Sequence, residues 1–411
     1  MKAVVVGAGI AGLAAAGQLA DRGWETTVLE QAPGPRTGGY MIDFFGPGFA
    51  AAEAMGALAE LRRRGHVYGS VRYVDRSGRT TARLDVAALV RATGGRYFSI
   101  LRPDIEAVLR DWLPAGVRLR QGAQVVAVEP GTLPGSGVDG AGTGSPAAAL
   151  LAGGERIEAD LLVGADGIHS AVRRGLFGPE SAHLRLLGFH VASFIAEDPA
   201  LAASLGNDVV LTDTLERQAG LYALPDGRVA VFAVEATDEP AVPGDARTAL
   251  AERFGPLGWR IPEAVAHAGR EIYYDVVAQS VVPRWSRGRC VLAGDAAFAV
   301  SLLAGQGASL ALAGTRLLCN EVGDGSGLGT ALAGYERRWR PTAEEQQRAG
   351  RRNAAFFVPP HRAGLWARRV ALRLLGSGPL SGPALRWAFG KGAFGDGVAG
   401  DAPSGARHPR A

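Results

Sequence analysis

Four clusters of glycine and acidic residues in this chain have the types and spacing to hold a dinucleotide. Gly7, Gly9 and Gly12 form G-x-G-x-x-G, with Ala11 inside the pattern, and Glu30 ends the next apolar run. The first glycine of such a pattern allows a tight turn, the second lets backbone approach a pyrophosphate, and the third lets a helix pack closely on its strand. The helix N-terminus then faces the phosphates with free N–H groups and its positive dipole end, while Glu30 can accept hydrogen bonds from ribose hydroxyls. The second cluster is Asp166-Gly167 with Ser170 and Arg173. The third is Gly294-Asp295, where a carboxylate delivered at the end of an apolar strand can accept hydrogen bonds from polyol hydroxyls. The fourth is Gly305-Gln306-Gly307, a turn opening a helix whose positive end suits a site of developing negative charge.

The elements that must position these groups are legible from periodicity. Ala3 to Val6 reads as a buried strand, Ile10 to Arg22 as a helix closed by Gly23, and Thr26 to Leu29 as a second strand. A polar Gly/Pro-rich loop, Gln31 to Gly39, contains Arg36, then YMIDFFGPG leads into one helix from Phe49 to Arg64. Arg76-Ser77-Gly78 marks a hairpin between Val71–Val74 and Thr80–Leu84. Arg102 to Leu113 is an amphipathic helix with Pro103 in its first turn, and Val117 to Val128 alternates as a strand. Residues 130–146, crowded with Gly, Ser, Thr and Pro, read as a flexible connection. Between about 180 and 280 the strand-like runs multiply around turns such as Pro225-Asp226-Gly227. They read as an antiparallel sheet inserted between two parts of the dinucleotide unit. The chain from Gly329 onward is helical and Arg-rich, and 395–411 has the composition of a disordered tail.

With these motifs in this order, the sequence resembles the group A flavoprotein monooxygenases, the fold family of para-hydroxybenzoate hydroxylase, over about residues 1 to 345. The resemblance implies an α/β protein with a Rossmann-like FAD-binding domain in three pieces, 1–70, 101–180 and 281–345. A mainly antiparallel substrate sheet would come from 71–100 and 181–280, and a helical region from 346–394. Gly7, Gly9, Ala11, Gly12 and Glu30 would hold the ADP half of FAD. Asp166, Gly167 and Arg173 match the family's DG motif, implicated in FAD and nicotinamide binding. Gly294 and Asp295 match the GD motif of the ribityl chain, Gly305, Gln306 and Gly307 its flavin-edge helix, and Arg36 and Arg102 arginines near phosphates and ribose. The implied mechanism has NADPH or NADH reduce FAD, which captures O2 as a C4a-hydroperoxide and hydroxylates or epoxidises an apolar or aromatic small molecule of secondary metabolism. Phe44, Phe98, Tyr222, Phe232, Phe298 and Leu302 are candidate pocket walls, and no catalytic side chain is assigned.

The pattern departs from the family in three places: Phe298 stands for its His, Leu302 for its Pro and Ser309 for its Asn. The missing proline motivates an alternative in which the flavoprotein oxidises or reduces without inserting oxygen, or uses FAD as a scaffold for a non-redox cyclisation. Gly258-Trp259-Arg260-Ile261-Pro262 overlaps the W-x-W-x-I-P of flavin-dependent halogenases, but Leu257 replaces the first Trp. Lys2 and Lys391, the only lysines, are misplaced for that chemistry.

Composition narrows the rest. A net charge of +4 gives no reason to expect nucleic acid. Cys290 and Cys319 are too few for a disulfide framework or a cysteine metal site, so a cytoplasmic setting and no metal are expected. His169, His183, His190 and His267 show no metal spacing and no obvious carboxylate partner. Ala296 to Thr315 lacks charge over a membrane-span length but is broken by Gly305, Gln306, Gly307 and Ser309, so a buried loop and helix is expected. His361 to Leu375 is a basic amphipathic helix, expected to dock on the protein's own surface and not on a membrane.

Overall fold

Lys2–Val6 is apolar on both faces beyond its lysine, and a strand of that kind needs cover on both sides. In the computed structural model, which describes residues 1–35, 38–134, 144–359 and 361–376, it is an interior strand of a six-stranded sheet. Arg36, most of the 130–146 connection and the 395–411 tail lie outside the described residues. The sheet runs Ser286–Arg287, Cys290–Leu292, Leu161–Gly164, Lys2–Val6, Glu25–Leu29, Arg118–Arg120. All its pairs from Cys290–Leu292 onward are parallel. Helix Ile10–Asp21 covers it, helix Gly307–Gly323 packs on that helix, and a three-stranded sheet, Val125–Glu129, Ala147–Leu151 and Arg156–Ala159, packs into the same core.

Two expectations need correction. Val117 to Val128 is not one strand: Arg118–Arg120 ends the six-stranded sheet and Val125–Glu129 belongs to the three-stranded one. Between them Gly122 takes φ +69°, which turns the chain out of the extended path. The helix expected over 49–64 is two, Pro47–Ala54 and Leu58–Arg64, parted at Gly56 with φ +75°.

The second large sheet has seven strands, in the order Ala268–Ser280, Leu184–Ala196, Val229–Ala236, Arg217–Ala223, Asp208–Asp213, Ser70–Val74, Thr80–Asp85. Its pairs are antiparallel except Asp208–Asp213 beside Ser70–Val74. The period of two sorts its side chains. Ala192, Phe194, Leu221 and Val231 pack under helices Pro199–Leu205, Ala246–Phe254 and Ile261–Ala266. Tyr273, Phe232, Tyr222 and Leu211 occupy the other face, which turns toward the glycine-motif half.

A two-stranded ribbon, Met41–Phe44 with Phe98–Leu101, lies between the halves. Ile42, Phe44, Phe98 and Ile100 enter the main core, whereas Met41 and Leu101 pack toward the seven-stranded sheet. The C-terminal helix Arg362–Gly376 docks on strand Thr80–Asp85, as expected. Leu372 joins Tyr73 and Leu211, and Arg368 and Arg369 both bond Asp213, the latter at 2.7 Å. Among the described residues no helix is long and apolar enough to cross a membrane.

Candidate active site

The three glycines of the first motif divide into two whose side-chain positions are closed by backbone and one, Gly9, that has room for a methyl group. A Cβ on Gly7 would lie 2.5 Å from the carbonyl oxygen of Ala165, and one on Gly12 only 1.9 Å from that of Gly7. On Gly9 it would meet nothing nearer than Glu106 Oε1 at 3.6 Å and Arg102 Nη2 at 3.8 Å. The side-chain position of Gly9 thus abuts the Arg102–Glu106 ion pair, 2.9 Å apart, and is not closed by backbone. The charges of Glu106, Tyr40 and Asp295 raise the Arg102 pKa against the opposing effect of burial. The Glu30 carboxylate accepts the Ala8 amide at Oε2 and the Ala32 amide at Oε1, each at 2.8 Å, bracing the glycine turn. Each oxygen keeps a second lone pair for a ribose hydroxyl. Ala11 has a packing reason to be small, since a Cβ on Gly294 would stand 2.6 Å from its own.

Asp295 is exposed to solvent, yet burial is the leading cause that raises its carboxyl pKa, with Arg102 opposing. Asp295 is thus reachable from solvent while protein closes round it on other sides. Tyr40, half-buried, lies beside it: burial pushes its phenol up to about 12. Gly307 faces Asp295, its Cβ position 4.0 Å from Oδ1, and begins helix Gly307–Gly323, whose first amides lack intrahelical partners. Beside it the Gln306 side chain is buried, with neither amide oxygen nor nitrogen partnered among the described residues. Buried amides ordinarily find partners, so Gln306 offers a donor and an acceptor to an occupant. The cradle at Gly9, the polyol-accepting Asp295 and the orphaned amide of Gln306 fit the phosphates, the chain and the ring edge of a flavin dinucleotide.

The DG segment is partly scaffolding. Asp166 accepts Ser170 Oγ at 2.5 Å and the Val172 amide at 3.1 Å, fastening the start of helix Ala171–Phe177, while Gly167 takes φ +80° beside it. Arg173 is fully buried, donating to Ser280 Oγ at 3.2 Å and the Ala296 carbonyl at 3.1 Å. It ties the DG turn to the seven-stranded sheet and the Asp295 turn.

The pocket candidates separate by strand face. Phe44 and Phe98 stack on each other, ring centroids 5.2 Å apart, on the core side of the ribbon. Phe298 packs between Trp285 and Trp339, also in the core. All three are buried in the main core. Tyr222, Phe232 and Leu302 lie on the inner face of the seven-stranded sheet or against it. With Tyr40, 5.9 Å from Phe232 and 6.2 Å from Tyr273, they form the aromatic face of a candidate substrate chamber beside Asp295.

Sequence reasoning missed the polar lining. Tyr273 donates to Asp275 Oδ2 at 3.0 Å, and the same carboxylate meets His169 Nε2 at 3.1 Å, with Glu180 on Nδ1 at 3.0 Å. Asp275 first, then Glu180, raise His169 to about 9 against burial. His169 therefore does have carboxylate partners, as do His190, 3.6 Å from Glu235, and His267, 3.2 Å from Asp198. His183 donates its Nε2–H to the Phe177 carbonyl, 2.8 Å away. Asp43 was also passed over, although a lone acid inside the apolar run MIDFF was a visible signal.

Against this geometry, comparison with known proteins gives a consistent picture. The family described as FAD binding domain matches residues 1–349. The chain is 35% identical over 370 residues to the uncharacterized protein Rv1260 of Mycobacterium tuberculosis, covering 84% of this chain and 92% of that one. It is 30% identical over 370 residues to 3-amino-4-hydroxybenzoate 2-monooxygenase PtmB3 of Streptomyces platensis, covering 86% and 88%. In fold it is similar to Klebsiella pneumoniae HpxO complexed with FAD and uric acid, with a TM-score of 0.76 at 21% identity over 95% of this chain and 96% of that one.

Proposed function

Because this chain belongs to the FAD-binding-domain family, an oxidoreductase family of FAD-dependent monooxygenases, we propose that it hydroxylates or epoxidises a small, mostly apolar ring compound with NADPH or NADH and O2. The observation that carries the proposal is the adjacency of the Asp295–Gln306–Gly307 cluster to a chamber lined by Tyr40, Phe232, Tyr273 and Leu302. Bound FAD supplies electron storage and oxygen activation, which side chains lack. The residues of this chain supply the rest. Gly9 and the N-terminus of helix Ile10–Asp21 would take the pyrophosphate, Glu30 the ribose, Asp295 the ribityl hydroxyls, and Gln306 and Gly307 the ring edge. The aromatic walls orient the substrate and keep water out. The Tyr273 hydroxyl donates to Asp275, so its oxygen keeps acceptor capacity for a substrate proton. Relatives named for 3-amino-4-hydroxybenzoate and solved with uric acid support a planar ring substrate. The buried thiols Cys290 and Cys319 suit a cytoplasmic protein.

One observation favours a second reading. Leu302 opens a 3-10 turn after Ser301, which holds φ +121° while its hydroxyl accepts the Leu303 amide at 3.1 Å. A non-glycine residue in that region stores strain, so this loop is built differently from one organised by proline. It supports flavin chemistry without oxygen insertion, or FAD as scaffold for a cyclisation. Anaerobic mixing of holoprotein with NADPH or NADH and a panel of ring compounds, followed by admission of 18O2, tests the pair. Bleaching followed by one labelled oxygen in the product supports the monooxygenase; bleaching with no label in any product refutes it.

A further inference from the structure

Asp43 is the acidic residue of the ribbon Met41–Phe44 and, unlike Ile42 and Phe44, is not in the main core. Its Oδ1 accepts two hydroxyls, Tyr97 Oη and Ser99 Oγ, each at 2.8 Å. Oδ2 accepts nothing among the described residues, and it is not a sealed atom: Asp43 is half-buried and Oδ2 stays accessible. Burial raises its pKa and the hydroxyls of Ser99 and Tyr97 oppose this; no described arginine, lysine or histidine takes part. It thus shows the same mixture of access and enclosure as Asp295.

The surroundings are aromatic and apolar. Tyr68 and Tyr222 stand edge to face with centroids 5.7 Å apart, and the Asp43 charge acts on both phenols. The Tyr68 hydroxyl is committed to the Ala223 carbonyl at 2.9 Å, whereas that of Tyr222 has no partner among the described residues. Met41, Leu101 and Leu224 pack together with Tyr222 on this side of the ribbon. A carboxylate enclosed in this way lacks the counter-charge that buried charges ordinarily have. A primary ammonium supplies it, donating to Oδ2 in a charge-assisted bond and lying against tyrosine faces. A substrate carboxylate would meet like charge there.

We infer that Asp43 anchors the substrate of this chamber and that the substrate is a ring compound bearing a basic amino group, bound through N–H donation to Oδ2. The inference rests on the chamber being the substrate site, as proposed above. Its test uses the FAD-loaded full chain and matched probe pairs that differ by the amine: tyramine against 4-ethylphenol, tryptamine against 3-ethylindole, benzylamine against toluene. Binding is read from perturbation of the flavin absorbance, which needs no turnover. The amine of a pair is expected to bind at least about tenfold more tightly. Asp43→Asn, which keeps an acceptor for Tyr97 and Ser99, is expected to reduce that preference to about twofold or less, with FAD content and affinity for the neutral probes unchanged. Equal affinity within the pairs for wild type, no amine bound at millimolar concentration, or a preference that survives Asp43→Asn overturns the inference. The wild-type ratios decide even if the variant does not fold. Holoprotein that prefers amines but forms no oxygenated product would instead overturn the proposed function and leave the anchor standing.

Discussion

Gly9 and Gly12 sit in one turn, yet the same added methyl group meets opposite surroundings. Gly9 is extended, φ −79° and ψ −174°, a conformation alanine adopts freely, and its Cβ would make only ordinary contacts at 3.6 and 3.8 Å. Gly9→Ala therefore leaves the apoprotein unstrained and, by narrowing the unfolded ensemble, adds about 0.4–1 kcal/mol of stability. The methyl projects toward Arg102 and Glu106, and on the proposed function it would stand against the pyrophosphate that a second glycine lets approach. Crowding of that size costs about 1–3 kcal/mol, which corresponds to FAD affinity weakened roughly 5- to 140-fold. At Gly12 the Cβ would overlap the Gly7 carbonyl oxygen at 1.9 Å, so helix Ile10–Asp21 has to retreat by about 1 Å, at a cost of about 1–3 kcal/mol or more to the fold itself. The assay strips flavin from both variants, measures the apoprotein melting midpoint and titrates FAD back by fluorescence quenching. Gly9→Ala should melt at or slightly above wild type and bind FAD poorly; Gly12→Ala should melt several degrees lower and also bind poorly. A Gly9→Ala protein with wild-type FAD affinity, or one that melts as low as Gly12→Ala, would refute the division of labour drawn from these distances.

Three further outcomes follow from the same structure. Asp213→Ala leaves the buried Arg368 without its carboxylate, which should cost about 3–5 kcal/mol and expose helix Arg362–Gly376 to limited proteolysis; unchanged melting and cleavage would contradict this. His169, held near 9 by Asp275 and Glu180, is protonated in the folded state well above its ordinary pKa. Its stabilisation is present in full below about pH 6.5 and fades as pH rises through 9. Because the side chain is half-exposed the effect is expected to stay below about 1 kcal/mol, and a wild-type minus His169→Gln stability difference flat from pH 6 to 9.5 would remove it. Leu302→Pro, at the first residue of its turn where a missing amide is tolerated, should raise the product formed per NAD(P)H oxidised; unchanged coupling would take Leu302 out of the oxygen chemistry.

What the sequence disclosed was the part of the site made by local backbone. Gly7, Gly9, Gly12, Glu30, Gly294 and Asp295 all lie within a few residues of a strand end, so spacing along the chain reports their geometry directly. The chamber is different, because its walls meet across strands whose register no single segment encodes. Phe44 and Asp43 are neighbours in sequence and belong to opposite sides of the ribbon. His169 finds Asp275 106 residues away, which is why its carboxylate partner was invisible. Gly122 and Gly56 broke elements that apolar periodicity had joined, since periodicity ignores the sign of φ.

The parallel pairing of Ser70–Val74 with Asp208–Thr212 sets an order of events during synthesis. The hairpin of residues 70 to 85 leaves the ribosome with one edge unpaired, and its partner is 138 residues later along the register. At about 5–20 residues per second that interval is on the order of ten seconds, during which an open strand edge can capture another chain. N-terminal fragments ending before residue 208 should therefore collect in the insoluble fraction, while slower translation of 86–208 should lower the soluble yield of the full chain.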